Sequence, residues 1–195
     1  FIEISNLKFS YKEKNIFQKK NNKDYKIKIN QINLIYGESG SGKSTLIKIL
    51  VGLIKPKSMT LKIKNKNYES INSNLSKVAS YIPQRVHLYP STIVENISLG
   101  DTKPNLNEII SCLKKSEIHE FSQSLRDSQN LILSEDLLDI SGGQRQRIGL
   151  ARALYDDTPI IILDETLSSV DDENKLKIMK TLEILSKEDK KTFII

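Results

Sequence analysis

An α/β fold with a mainly parallel core sheet, an N-terminal antiparallel β subdomain and a small α-helical subdomain is the architecture this sequence predicts. Strand-like runs alternate with helix-like runs around a glycine cluster at 37–42, as they do where a parallel sheet is wrapped by helices. Residues Ile160 to Leu163 form an apolar run with no polar break, which marks a strand covered on both faces. Between 91 and 133, Ile109, Ile110, Leu113, Ile118, Phe121 and Leu125 recur in helical rhythm with polar residues between, which reads as a helical subdomain.

Taken in order, the chain begins with short alternating strands, Phe1 to Ser10 and Tyr25 to Tyr36, separated by a lysine- and asparagine-rich loop at 12–24. Past the glycine cluster, Leu46, Ile47, Ile49, Leu50 and Leu53 recur at helical spacing from Ser44 to Leu53, with Pro56 beyond the end. Thr60 to Tyr68 reads as a hairpin and Val78 to Pro83 as a strand. After the helical stretch come a helix from Gly142 to Tyr155, carrying Ile148, Leu150, Ala151 and Leu154, and the apolar strand. A helix at 172–189 follows, with Leu176, Ile178, Met179, Leu182 and Leu185 as its core face. The last five residues, Lys191 to Ile195, read as a buried strand cut off in mid-run, and residue 1 is Phe, so the sequence is expected to be part of a longer polypeptide.

Composition narrows the function classes. The chain has 195 residues, 38% hydrophobic and 28% charged, enough to bury a real core and too apolar for intrinsic disorder. The single cysteine, Cys112, excludes a disulfide framework or a cysteine-based metal cluster and fits a reducing, cytosolic setting. No apolar run approaches the roughly 20 residues that span a bilayer. The net charge of +6 sets 25 Lys and 5 Arg against 24 Asp and Glu, and the basic residues are scattered along the chain, a solvated basic surface rather than a nucleic-acid patch, so no nucleic-acid partner is expected.

The chemistry concentrates in a few segments. Gly37, Glu38, Ser39, Gly40, Ser41, Gly42, Lys43, Ser44 and Thr45 match the phosphate-loop pattern between a strand and a helix, which makes the core that of a P-loop NTPase. The glycines let backbone N–H groups turn toward phosphate oxygens, the helix start adds its dipole, Lys43 supplies a charge to the β- and γ-phosphates, and Ser44 is a ligand for Mg²⁺. Asp164 and Glu165 end the apolar strand, a Walker B arrangement: Asp164 is read as holding Mg²⁺ through water and Glu165 as polarising an attacking water. Ser141 caps the helix from Gly142 to Tyr155, whose first turn offers the N–H groups of Gly142 and Gly143 as a second anion site.

The segment Ile140-Ser-Gly-Gly-Gln-Arg-Gln-Arg147, with Ser141 lying 23 residues before Asp164, resembles the signature sequence of ATP-binding cassette (ABC) ATPases, with Ile140 where leucine is usual. The resemblance covers nearly the whole chain. It implies that Gln84, in Tyr-Ile-Pro-Gln, contacts Mg²⁺ or the attacking water, that Tyr11 stacks on adenine, and that Ser168 to Asp171 form the loop joining two sites across a dimer. It further implies ATP and Mg²⁺ as ligands and hydrolysis as the reaction. ATP would be shared head to tail between the phosphate loop of one domain and Ser141, Gly142, Gly143 and Gln144 of a second. Residues 1–83 and 141–195 become an ATP-binding core with its β subdomain, and 84–140 the Q-loop and helical subdomain.

Pro83 to Gly100 resembles the stretch that exporter-type domains carry, and the 57 residues from Gln84 to Ser141 leave no room for a long coiled coil. The resemblance therefore implies an exporter with transmembrane helices on the same polypeptide, at the cytoplasmic face of the cell membrane, and Leu88 and Tyr89 are candidates for touching them. Glu135 falls where exporters place a glutamate, though without its usual glycine neighbours. An importer subunit and a soluble translation-associated ABC protein are the alternatives. The family's switch histidine falls past residue 195, and neither His87 nor His119 can replace it, so this chain alone is expected to bind nucleotide and hydrolyse it weakly.

Overall fold

The computed structural model describes all residues except 12–13, 18–23, 64–65, 70–74, 128–139, 166 and 168–169. Two sheets form its frame. The first is antiparallel and contains β1 (Ile2–Tyr11), β2 (Lys14–Phe17), β3 (Tyr25–Ile27), β5 (Ser58–Ile63) and β6 (Lys66–Glu69). The long β1 pairs with β5 along one edge, and on the other with β3 near its start and β2 near its end. Its buried apolar residues switch parity, from Ile2 and Ile4 to Leu7 and Phe9. Asn6, at φ 52, lies where the β1–β5 register shifts, and one extra residue there turns the later side chains onto the buried face.

The second sheet is parallel, with β4 (Ile32–Asn33), β9 (Thr192–Ile194), β8 (Ile160–Leu163) and β7 (Ala79–Ile82) in that spatial order. Helix α1 (Lys43–Leu50) follows β4; α2 (Ile93–Ser98), α3 (Leu106–Lys115), α4 (His119–Asp127) and α5 (Gly142–Tyr155) lie between β7 and β8; α6 (Asp172–Lys187) connects β8 to β9. Strand β8 explains why its sequence lacks a polar phase. Ile161 and Leu163 belong to the core under α2 to α6, whereas Ile160 and Ile162 belong to the core shared with α1 and the antiparallel sheet. Ile161 has no exposed surface. Ile161→Ala is expected to lower unfolding free energy by about 2–5 kcal/mol, the usual cost of truncating a fully buried aliphatic side chain, read from the denaturant midpoint.

Several sequence expectations need correction. The stretch 12–24 contains β2 rather than loop alone, since a four-residue strand flanked by lysines has too few apolar positions to show a period. Tyr25 to Tyr36 is not one strand: the chain turns at Asn30, φ 57, and passes from the antiparallel to the parallel sheet. Leu53 lies beyond α1 and Leu176 on the solvent side of α6, and both are exposed. No described helix is long and apolar enough to cross a membrane.

Candidate functional site

Because β4, β7 and β8 run parallel, the segments that follow them emerge at one end of the sheet, where α/β proteins bind ligands. The first carries the phosphate loop. Ile195 N–H donates to Asn33 O (2.9 Å) and Ile35 N–H to Ile195 O (2.7 Å), so the extended chain runs up to the loop. Helix α1 begins at Lys43 on an N-cap of Gly42 in the left-handed region, φ 97, with no side-chain cap, leaving its first-turn N–H groups to a ligand. A Cβ at Gly42 would stand 2.8 Å from Ile16 Cγ2 and 3.1 Å from Phe17 Cζ, so β2 backs the loop and only glycine fits there. The Lys43 ammonium bridges the loop, donating to Gly37 O (2.7 Å) and Glu38 O (3.0 Å).

The two carboxylates diverge. Asp164 is only 6% exposed; its N–H donates to Ile82 O (3.0 Å), and its Oδ2 accepts from the Tyr81 hydroxyl (3.0 Å). Burial, and then the charge of Asp164, pushes the Tyr81 phenol far above its ordinary ionisation range, so it remains a donor. Glu165 is exposed and bends away at φ 52, a left-handed conformation that costs a residue with a Cβ about 1–3 kcal/mol. Its Oε2 accepts from Gln84 Nε2 (2.8 Å). Glu165 lines a cleft of about 320 Å³ together with Ile16, Ser39, Gly40, Gly42, Lys43, Ser44 and Thr45.

These groups suit Mg²⁺. The Ser44 hydroxyl and the Asp164 carboxylate are hard oxygen donors, and among the described residues no cluster of three or more His, Cys, Asp or Glu forms a cage.

Ser141, Gly142, Gly143 and Gln144 do not line this cleft. They form the start of α5: Ser141 Oγ accepts from Gln144 N–H (3.1 Å), and Gln144 Oε1 accepts from Ser141 N–H (2.9 Å), a reciprocal capping box. Gln144 Nε2 donates to Glu120 Oε1 on α4 (3.0 Å), so the Gln144 side chain is engaged within its own chain. Gly142 is exposed. Asp171 caps α6 through Asn174 N–H (3.0 Å), a bond that holds its carboxyl below the ordinary range. The Tyr11 side chain, Ser168, Ser169 and Glu135 lie outside the described residues; for Tyr11 the backbone is the end of β1.

Leu88 corrects an expectation: it is buried in the larger core, and of the pair only Tyr89, 58% exposed, reaches the surface. The segment carrying them is tied to α5 and α2. Arg152 donates to His87 O (3.0 Å) and Asn96 O (2.6 Å), and Asn96 Nδ2 to Tyr89 O (2.9 Å). Sequence reasoning missed Ile16, Tyr81 and Glu120. Each contributes through a neighbour distant in the chain, and no motif spacing marks such a contact.

Comparison with known proteins fits this geometry. Residues 20–168 match the family described as ABC transporter. A Haemophilus influenzae protein named "Probable ABC transporter ATP-binding/permease protein" is 38% identical over 182 residues, covering 93% of this chain and 32% of its own length. A Rickettsia typhi protein whose name assigns it to export as an ATP-binding/permease protein is 35% identical over 187 residues, 95% of this chain and 32% of its own. The chain thus spans about a third of the length of these relatives. The solved structure of a bacterial Atm1-family ABC exporter with ATP bound shares the fold, at a TM-score of 0.82 over 98% of this chain and 34% of that one, with 24% identity. With a phosphate loop, a carboxylate pair at the end of a buried strand and a capped Ser-Gly-Gly-Gln helix start in one α/β chain, this protein belongs to the ABC transporter family.

Proposed function

We propose that this chain is the ATP-hydrolysing cassette of an exporter, acting as half of a head-to-tail pair at the cytoplasmic face of a membrane and driving transmembrane helices on the same polypeptide. The observation that supports this most is the separation of two phosphate-binding helix starts: Gly42 to Thr45 line the cleft, whereas Ser141 to Gln144 lie outside it. A second copy can bring the latter onto the former. Relatives named as ATP-binding/permease and export proteins favour the exporter over the importer and translation-associated readings.

In this reading the triphosphate lies over the start of α1, where backbone N–H groups and the helix dipole meet it. Lys43 exchanges its carbonyl partners at Gly37 and Glu38 for the β- and γ-phosphates, and Tyr11 stacks on adenine. Ser44, Asp164 and Gln84 hold the Mg²⁺ side of the site. When bound, Mg²⁺ neutralises charge on the phosphate oxygens. Glu165 orients and polarises the attacking water, and Gln84, now bonded to it, sets its direction. Ser141, Gly142 and Gly143 of the partner subunit close over the γ-phosphate, while Gln144 keeps Ser141 in its cap. Residues 1–195 alone are expected to bind ATP and turn it over slowly: His87 is exposed, His119 is paired with Glu117 (3.1 Å), and neither lines the cleft.

The test is a mixed dimer of the full-length polypeptide. A Lys43→Ala chain and a Ser141→Arg chain are each expected to be inactive alone. Mixed, they restore one intact composite site and a measurable ATPase rate. If every site is built within one chain, the mixture stays as inactive as its components.

A further inference from the structure

We propose that Tyr81 is a positioning residue for Asp164: its hydroxyl, 3.0 Å from Oδ2, fixes the rotation of the buried carboxylate and thereby the site's affinity for the divalent cation that accompanies the nucleotide. The inference rests on the reading of Asp164 as the metal-side carboxylate. The strand register carries it. Tyr81 on β7 stands opposite Ile162 on β8, and Asp164 lies two residues further along, on the same face as Ile162 because side chains alternate. A phenol is long enough to span that offset. Asp164 N–H continues the ladder to Ile82 O, so the backbones on both sides of the contact are held, and the hydroxyl bears directly on Oδ2 and restrains its rotation.

A carboxylate this deeply buried has to be hydrogen-bonded, and groups that hold a metal-side carboxylate from behind set its orientation and hence the metal's affinity. Neither Tyr81 nor Asp164 is among the residues lining the cleft, so the effect of Tyr81 is expected to run through Asp164 to the cation and not through contact with the bare nucleotide.

Tyr81→Phe in the full-length polypeptide tests this. The affinity of the non-hydrolysable analogue adenylyl imidodiphosphate is measured in EDTA and in Mg²⁺, and the ratio of the two dissociation constants gives the gain due to metal. Tyr81→Phe is expected to leave the affinity in EDTA unchanged and to reduce the gain about 10-fold, the lower end of the range for groups behind a metal ligand. Asp164→Asn should reduce it further, and adding Tyr81→Phe to Asp164→Asn should change nothing more, because the hydroxyl acts through that carboxylate. Should Tyr81→Phe lower affinity in EDTA as well, Tyr81→Met keeps an apolar side chain without the hydroxyl and takes its place. An unchanged gain in the folded variant, or an effect that simply adds to that of Asp164→Asn, overturns the role of Tyr81 alone. A gain untouched by Asp164→Asn overturns the assignment of Asp164 and this inference with it.

Discussion

Glu165→Gln is expected to cut ATP turnover about 10²- to 10⁴-fold, the range for losing a general base, while nucleotide affinity stays near that of the unsubstituted protein. Glu165 is an exposed carboxylate on the wall of the cleft, and its Oε2 accepts a hydrogen bond from Gln84 Nε2. A glutamine at 165 is isosteric and can still accept that bond through its own Oε1, so the cleft keeps its shape and loses only a group able to polarise water. Steady-state ATPase rates and nucleotide binding on the full-length polypeptide separate the two effects. If binding is closed by a second copy, the variant also accumulates as an ATP-dependent dimer, visible by sedimentation. A turnover within about tenfold of the original would mean that another group activates the water.

Gly42→Ala is expected to weaken nucleotide binding and turnover by about 10²-fold, the scale on which misplacing a site by an ångström is felt. Two separate effects act at this residue. The left-handed φ of 97 disfavours any side chain, and the added Cβ would stand 2.8 Å from Ile16 Cγ2. Gly40 provides the comparison: it too has a positive φ, of 78, but nothing lies within 4 Å of a Cβ there. Gly40→Ala therefore reports backbone strain alone. Adding Ile16→Ala to Gly42→Ala removes the closer contact, leaving Phe17 Cζ at 3.1 Å, and is expected to recover part of the affinity. If Gly42→Ala is no worse than Gly40→Ala, β2 does not brace the phosphate loop.

Much of the site was legible in the sequence because its chemistry is local. The glycine-rich loop must join a strand to a helix start, and the structure has Gly42 capping α1 with Lys43 folded across the loop. The run Ile160–Leu163 was legible because a strand with a core on each face has no polar phase, and β8 divides its side chains between two cores. Ser141 was legible as a cap because the residue that completes the box, Gln144, is three positions away. Amphipathic faces were read less well. Leu176 fits the helical period of α6 yet is 65% exposed, because periodicity says which residues share a stripe and not how wide a neighbour covers it.

The sequence by itself determined the α/β class and the order of the phosphate-loop, carboxylate-pair and signature-helix segments, and it supplied the candidates for meeting phosphate, since each motif rests on spacings within one short segment. Only the tertiary structure decided what lies behind those residues. It seated Ile16 and Phe17 beneath Gly42, turned Leu88 inward and Tyr89 outward, joined Gln84 to Glu165, and set Tyr81 against Asp164. Those pairings depend on which strands lie side by side and in what register. That is fixed by burying both faces of one sheet at once, a global condition that no short stretch of sequence contains.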